Sequence, residues 1–164
     1  KDLPPLPQGG DAAYRLGVGD QVRLLTFGEE SLSDIFRVND AGNIALPLLG
    51  PVRARGLTTD ELSRDLVAEL SRRGLIRDAS VAVEVVEYRP VFVLGEVNRP
   101  GQYAFQPGMT VLSVAAIAGG FTYRAVQDQA AVVRLVDGHP VEGRADPLTV
   151  LRPGDVVTVY ERVF

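Results

Sequence analysis

Hydrolysis of a glycoside takes two carboxylates flanking one bond, and the chain offers several acidic pairs. Glu84 and Glu87 stand three apart in a β-branched run, a spacing that puts them on opposite faces of a strand. Glu29 and Glu30 share a polar loop, and Asp20 and Asp155 each follow a glycine at the start of a strand pattern. Any of these could meet another across the fold, but none makes a specific acid–base motif in the sequence. The single histidine, His139, lies in the turn-like stretch Asp137-Gly138-His139-Pro140 and reads as a solvated loop side chain. One imidazole builds neither a His-rich metal site nor a triad held in a rigid pocket. With no cysteine in the chain, disulfides, thiolate zinc sites and thiol nucleophiles are excluded. The sequence has no Gly-x-Ser-x-Gly elbow, no Walker loop and no His-Glu-x-x-His. Ala118-Gly119-Gly120-Phe121 is glycine-rich, but it closes a helix pattern, whereas a phosphate cradle needs a helix N-terminus behind it. No catalytic residue, metal ligand or cofactor site is therefore assigned.

Binding chemistry is better represented. Tyr103, Phe121 and Tyr123 flank two loops of the C-terminal half, with Arg99 and Arg124 beside them. Aromatic faces stack on sugar rings and guanidinium groups pair with acidic sugars, so these five residues are the candidate ligand contacts. The same residues equally serve as partial core packing and solvated cations. The net charge of −4 and a pI near 5.0 argue against a nucleic-acid partner.

The elements that would position these residues are short. In residues 22–27, Val22, Leu24 and Thr26 alternate with Arg23, Leu25 and Phe27, a period-two strand. Residues 34–38, 44–48 and 51–55 continue a meander around the turn Asn39-Asp40-Ala41-Gly42-Asn43. Thr58-Thr59-Asp60-Glu61 is a capping box. Leu62, Leu66 and Leu70 line one helical face, Arg72 and Arg73 suit the last turn, and Gly74 ends it. Residues 80–88 and 91–97 are strands separated by Arg89-Pro90, where a module boundary falls. Beyond it, Arg99-Pro100-Gly101 predicts a type II turn, residues 103–105 a short strand, and Gln106-Pro107-Gly108-Met109 a second Pro-Gly turn. Thr110 opens a helix carrying Val111, Val114, Ala115 and Ala118, and residues 130–136 and 156–160 close the module as strands. Leu-x-x-Gly-Asp-x-Val occurs twice, at Leu16 and Leu151, as a turn that leads into a strand.

The expected organisation is α+β: a proline-rich leader over residues 1–13, a first module over 14–89 and a second over 90–164. Three prolines and two glycines among the first ten residues favour an extended tether. No apolar run approaches the ~20 residues that span a bilayer. Because the first residue is Lys1, the chain reads as processed, any signal or lipid-bearing segment having been removed.

The first module resembles the polysaccharide biosynthesis/export domain of outer-membrane polysaccharide export proteins. The residues that carry the resemblance are Tyr14-Arg15-Leu16-Gly17-Val18-Gly19-Asp20, the run Asp40-Ala41-Gly42-Asn43-Ile44-Ala45-Leu46-Pro47-Leu48-Leu49-Gly50, and Gly56-Leu57-Thr58. The second resembles an SLBB domain, through Val93-Leu94-Gly95-Glu96-Val97-Asn98-Arg99-Pro100-Gly101-Gln102-Tyr103 and Ala115-Ala116-Ile117-Ala118-Gly119-Gly120. The resemblance implies an export-type α/β sandwich followed by a β-grasp-like module. It makes Gly19, Asp20, Gly42, Pro47, Gly50, Gly95, Pro100, Gly101, Gly119 and Gly120 structural motif residues. It also implies a periplasmic, ring-forming homo-oligomer held at the outer membrane by an N-terminal lipid, handling polysaccharide with an inner-membrane co-polymerase. Large members carry two or more SLBB modules and a C-terminal amphipathic helix that builds the pore. This sequence has one such module and ends at Phe164, so a separate outer-membrane β-barrel, or a longer native chain, is expected to complete the route. The alternatives are a periplasmic module that senses a glycan or small ligand, and an enzyme acting on the polymer.

Overall fold

The computed structural model describes residues 3–6, 14–136 and 138–163. The chain forms two compact units, which part between Tyr88 and Arg89; the described leader residues belong to the second unit.

In the first unit, β1 (Gln21–Thr26) is the centre of a three-stranded antiparallel sheet, flanked by β2 (Ile35–Arg37) and β5 (Val81–Glu87). The alternation in β1 is the one expected: Val22, Leu24 and Thr26 are buried. A hairpin of β3 (Asn43–Leu46) and β4 (Gly50–Arg53) adds Ile44 and Leu46 to the same core. The amphipathic helix α1 (Thr59–Arg72) buries Leu62, Leu66 and Leu70. Its capping box forms in full: the Glu61 N–H donates to the Thr58 hydroxyl and the Thr58 N–H donates to the Glu61 carboxylate. At the other end the Gly74 N–H bonds to Ser71 O and the Leu75 N–H to Leu70 O, a Schellman pair that uses the left-handed φ of Gly74.

The second unit is a five-stranded mixed sheet. β6 (Val91–Gly95) lies parallel to β10 (Val156–Val159) at its centre. β7 (Gly101–Tyr103) pairs with β6, and the hairpin β8 (Ala130–Val136) and β9 (His139–Ala145) extends the other side. The short helix α2 (Val111–Ile117) packs Val114 and Ala115 with Val91, Val93, Val132, Val157 and Val159. This is the small α+β architecture expected.

Three details differ from expectation. His139 and Pro140 are not in a turn; they open β9, a strand the sequence pattern conceals. Val136 pairs with His139, so the connection is two residues long. Asp-Gly is a strong signal for such a connection, but Pro140 and Gly143 interrupt the run that follows. Proline is tolerated there because β9 is an edge strand. Second, Gly101 is extended at φ 155° and begins β7, so it does not occupy the third position of a type II turn. Third, the leader's described residues are docked instead of hanging free. Pro5 bridges Arg144 in parallel fashion and Leu6 is buried in the core of the second unit. Among the described residues, no helix is long and apolar enough to cross a membrane.

Candidate functional site

The five candidate contacts fall into two groups within the second unit. Helix α2 ends in a Schellman motif of its own, with Gly119 N–H to Ala116 O and Gly120 N–H to Ala115 O, both glycines at φ 90°. The loop after β6 clamps this end. Asn98 Nδ2 donates to Gly119 O at 2.8 Å, and the Arg99 N–H donates to Ala118 O at 2.7 Å. The Arg99 guanidinium lies against Gly119, where a Cβ would approach Nη1 to 2.9 Å, and it reaches Ile117 O at 3.4 Å. A cation among the terminal carbonyls of a helix complements its dipole. The Tyr103 hydroxyl donates to Arg99 O, and Phe121 is half-buried against the core beside a bridge to Val97. Arg99, Tyr103 and Phe121 therefore hold the loops in shape.

Tyr123 and Arg124 face outward. Tyr123 is 78% exposed, and the Arg124 guanidinium stacks over its ring with Nε donating to the hydroxyl. That bond, then the charge of Glu161 at 3.3 Å, raises the Arg124 pKa above its ordinary value. Arg162 donates to Tyr123 O at 2.6 Å and holds the backbone of this platform. The result is an aromatic face with a cation on it, chemistry suited to a polar ring with hydroxyl and carboxylate substituents.

The motif residues are architectural. Asp20 is wholly buried; its carboxylate accepts from the Tyr14 hydroxyl at 2.5 Å and the Gly17 N–H at 2.8 Å. Asp155 repeats the device, accepting from the Arg152 N–H at 2.8 Å and from Arg134 through two nitrogens at 2.7 and 3.1 Å. Gly19 and Gly154 both take left-handed φ in these turns. Gly42 abuts Arg55, and its carbonyl accepts from Ala54 and Arg55. Gly95 passes so close to β10 that a Cβ would lie 2.1 Å from Val159 O. Pro47 O accepts from the Leu49 N–H across Leu48, which with Gly50 has positive φ at the hairpin tip. Pro100 is exposed in the loop before β7.

The strand carboxylates Glu84 and Glu87 each meet a residue of β1. Glu84 is bonded to Arg23 and Glu87 to Gln21. A bulge at Gln21/Val22 inserts Val86 and returns both carboxylates to the face shared by Gln21 and Arg23, so the opposite-face expectation is corrected. Among the described residues no cluster of three or more potential metal ligands occurs. Sequence reasoning does not single out Arg134, although its position carries a signal. It shares the inward parity of Ala130 and Val132, and a cation at a core position needs an anionic partner.

Residues 8–86 match the model of the polysaccharide biosynthesis/export protein family, and residues 90–145 match the SLBB domain. The chain belongs to the polysaccharide export protein family. Among its relatives, the exopolysaccharide production protein ExoF of Rhizobium meliloti is 33% identical over 118 residues, covering 65% of this chain and 28% of ExoF. The EPS I polysaccharide export outer membrane protein EpsA of Ralstonia nicotianae is 28% identical over 158 residues, 88% of this chain and 40% of EpsA. The polysialic acid transport protein KpsD of Escherichia coli is 28% identical over 114 residues, 68% of this chain and 20% of KpsD. The chain thus spans between a fifth and two fifths of the length of these relatives.

Proposed function

We propose that this chain is a non-catalytic periplasmic component of a capsule or exopolysaccharide export machine, forming an oligomeric collar through which polymer passes to the outer membrane. The observation that carries this reading is the order of an export domain and an SLBB domain along one chain, each with its motif glycines and aspartate in structural roles. The partner is an inner-membrane polysaccharide co-polymerase, which delivers the polymer. A lipid on the N-terminal side of the leader holds the assembly in place. Tyr123 and Arg124 are the residues that touch the polymer; Arg99, Tyr103 and Phe121 act through the loops they fix. Disrupting the gene should leave synthesis intact and cut surface polymer, with polymer retained inside the envelope. Normal export from the disrupted strain would sink the reading. Native mass spectrometry of the membrane-anchored protein should show a closed oligomer, and a strict monomer in the presence of its partner would count against the collar.

A further inference from the structure

We propose that Glu161 is a built-in competitor at the Tyr123–Arg124 platform: its carboxylate occupies the guanidinium edge that a carboxylate-bearing sugar of the polymer would take, so that acidic sugars are held there only loosely. The inference rests on the platform being the polymer contact, and adds the residue that sets its preference.

A guanidinium presents two edges on which a pair of nitrogens can bind one carboxylate side by side. In Arg124 each edge has one nitrogen engaged. Nε donates to the Tyr123 hydroxyl at 3.0 Å and Nη1 to Glu161 Oε2 at 3.3 Å, which leaves Nη2 without a partner among the described residues. A paired approach by a sugar carboxylate must therefore displace the hydroxyl or Glu161. The hydroxyl belongs to the ring over which the guanidinium stacks, 5.4 Å from its centroid, and is part of the platform itself. Glu96, whose charge also reaches Arg124, is bonded to Thr122 at 2.7 Å. Glu161 is thus the group that yields. Its position does not depend on its carboxylate: the backbone bridges Ala125, with the Val126 N–H donating to Tyr160 O and the Arg162 N–H to Arg124 O on either side. The side chains of the pair are 54% and 55% exposed, and ion pairs in that setting are weak. Such a pair lowers the affinity of a competing carboxylate by about two- to fivefold. A neutral sugar that stacks on Tyr123 meets no such competition.

The test is an NMR titration of the isotope-labelled full chain at low ionic strength, with trigalacturonate as the acidic probe and maltotriose as the neutral one. Affinities are read from the Tyr123 and Arg124 amide shifts. Glu161→Gln should tighten trigalacturonate by about two- to fivefold and leave maltotriose unchanged. Arg124→Gln in the Glu161→Gln chain should remove the gain. Glu84→Gln, which breaks a similarly exposed pair with Arg23 in the first unit and changes the net charge equally, should give none. If the sugars shift the platform but Glu161→Gln gives no gain beyond that of Glu84→Gln, or an equal gain for both probes, the competitor is overturned and the platform stands. If neither probe shifts the platform in any chain, the reading of Tyr123 and Arg124 as the polymer contact falls with it.

Discussion

Asp20 and Asp155 solve one problem with different partners. Each caps a Gly-containing turn by accepting the N–H three residues back, and each is buried, so its carboxylate needs further donors. For Asp20 the Tyr14 hydroxyl contributes; for Asp155 the Arg134 guanidinium binds through Nε and Nη2. Removing one partner of a buried pair strands the other charge, which costs about 3–5 kcal/mol. Asp155→Ala should lower the stability of the second unit by that amount, measured by urea unfolding. A loss below about 1 kcal/mol would show that water enters the site and that the pair is not truly buried. Asp20→Ala strands the Tyr14 hydroxyl and the Gly17 amide, a loss of about 1–3 kcal/mol for those two donors. The motif glycines separate conformation from space. Gly19 has φ 93° with nothing within 4 Å of an added Cβ, whereas Gly95, at φ 89°, would drive a Cβ into Val159 O. Gly19→Ala should therefore cost about 1–2 kcal/mol, and Gly95→Ala about 3 kcal/mol or more, with loss of the β6–β10 register. Equal effects in thermal melts would refute this distinction. The sequence shows that Gly19-Asp20 and Gly154-Asp155 lead into strands, but not which donors meet the buried carboxylates: Tyr14 is close in sequence to Asp20, while Arg134 comes from another strand.

At the scale of elements, α1 is legible throughout because its signals are local: a cap, a four-residue leucine spacing and a terminal glycine all lie within one segment. The same holds for α2, from Thr110 to the paired glycines. Strand β9 is not legible, because its stability comes from pairing with β8 on one side and the leader on the other, neither of which its own composition records. The platform at Tyr123 is only half legible. The aromatic and Arg124 are adjacent in sequence, but Glu161 and Arg162 arrive from the far end of the chain. The cap of α1 also has a pH signature. The Thr58 backbone N–H, with help from Arg15, holds the Glu61 carboxyl below its ordinary value of 4.5. Arg72 and Arg73 do the same for Glu69. A depressed folded pKa means that the stabilisation is fully present above the unfolded value and is lost as pH falls through the folded one. The first unit should thus keep a constant unfolding midpoint from neutral pH down to roughly 5, then weaken as both carboxylates protonate. Glu61→Gln should flatten the acid limb by lowering the neutral-pH stability towards the acid value, which it leaves little changed. An unaltered acid limb would assign the effect to other carboxylates.

At the scale of the whole molecule, the question is whether the proposed polymer contact is that of a receptor or of a conduit. A receptor encloses its ligand; typical sites are clefts of about 300–1,000 Å³ that bury most of the ligand surface. Tyr123 and Arg124 instead form an exposed platform, and the cleft beside the leader, lined by Leu6, Asp128, Arg144 and Thr149, holds about 240 Å³. Stacking one ring on one exposed aromatic yields little beyond the loss of translational freedom. A single repeat unit should therefore bind no tighter than about 1 mM, or roughly −4 kcal/mol. Weak contact is also what transport demands, because a polymer that bound tightly at every copy of a collar would not move. Many weak contacts around a ring still keep the polymer in place through multivalency. Calorimetry on the isolated chain should show no saturable heat with the repeat unit, whereas vesicle-bound assemblies should retain long polymer at low ionic strength. Tyr123→Ala should reduce that retention without changing oligomeric mass. Saturable micromolar binding of the repeat unit to the isolated chain would reverse the assignment and make the molecule a receptor.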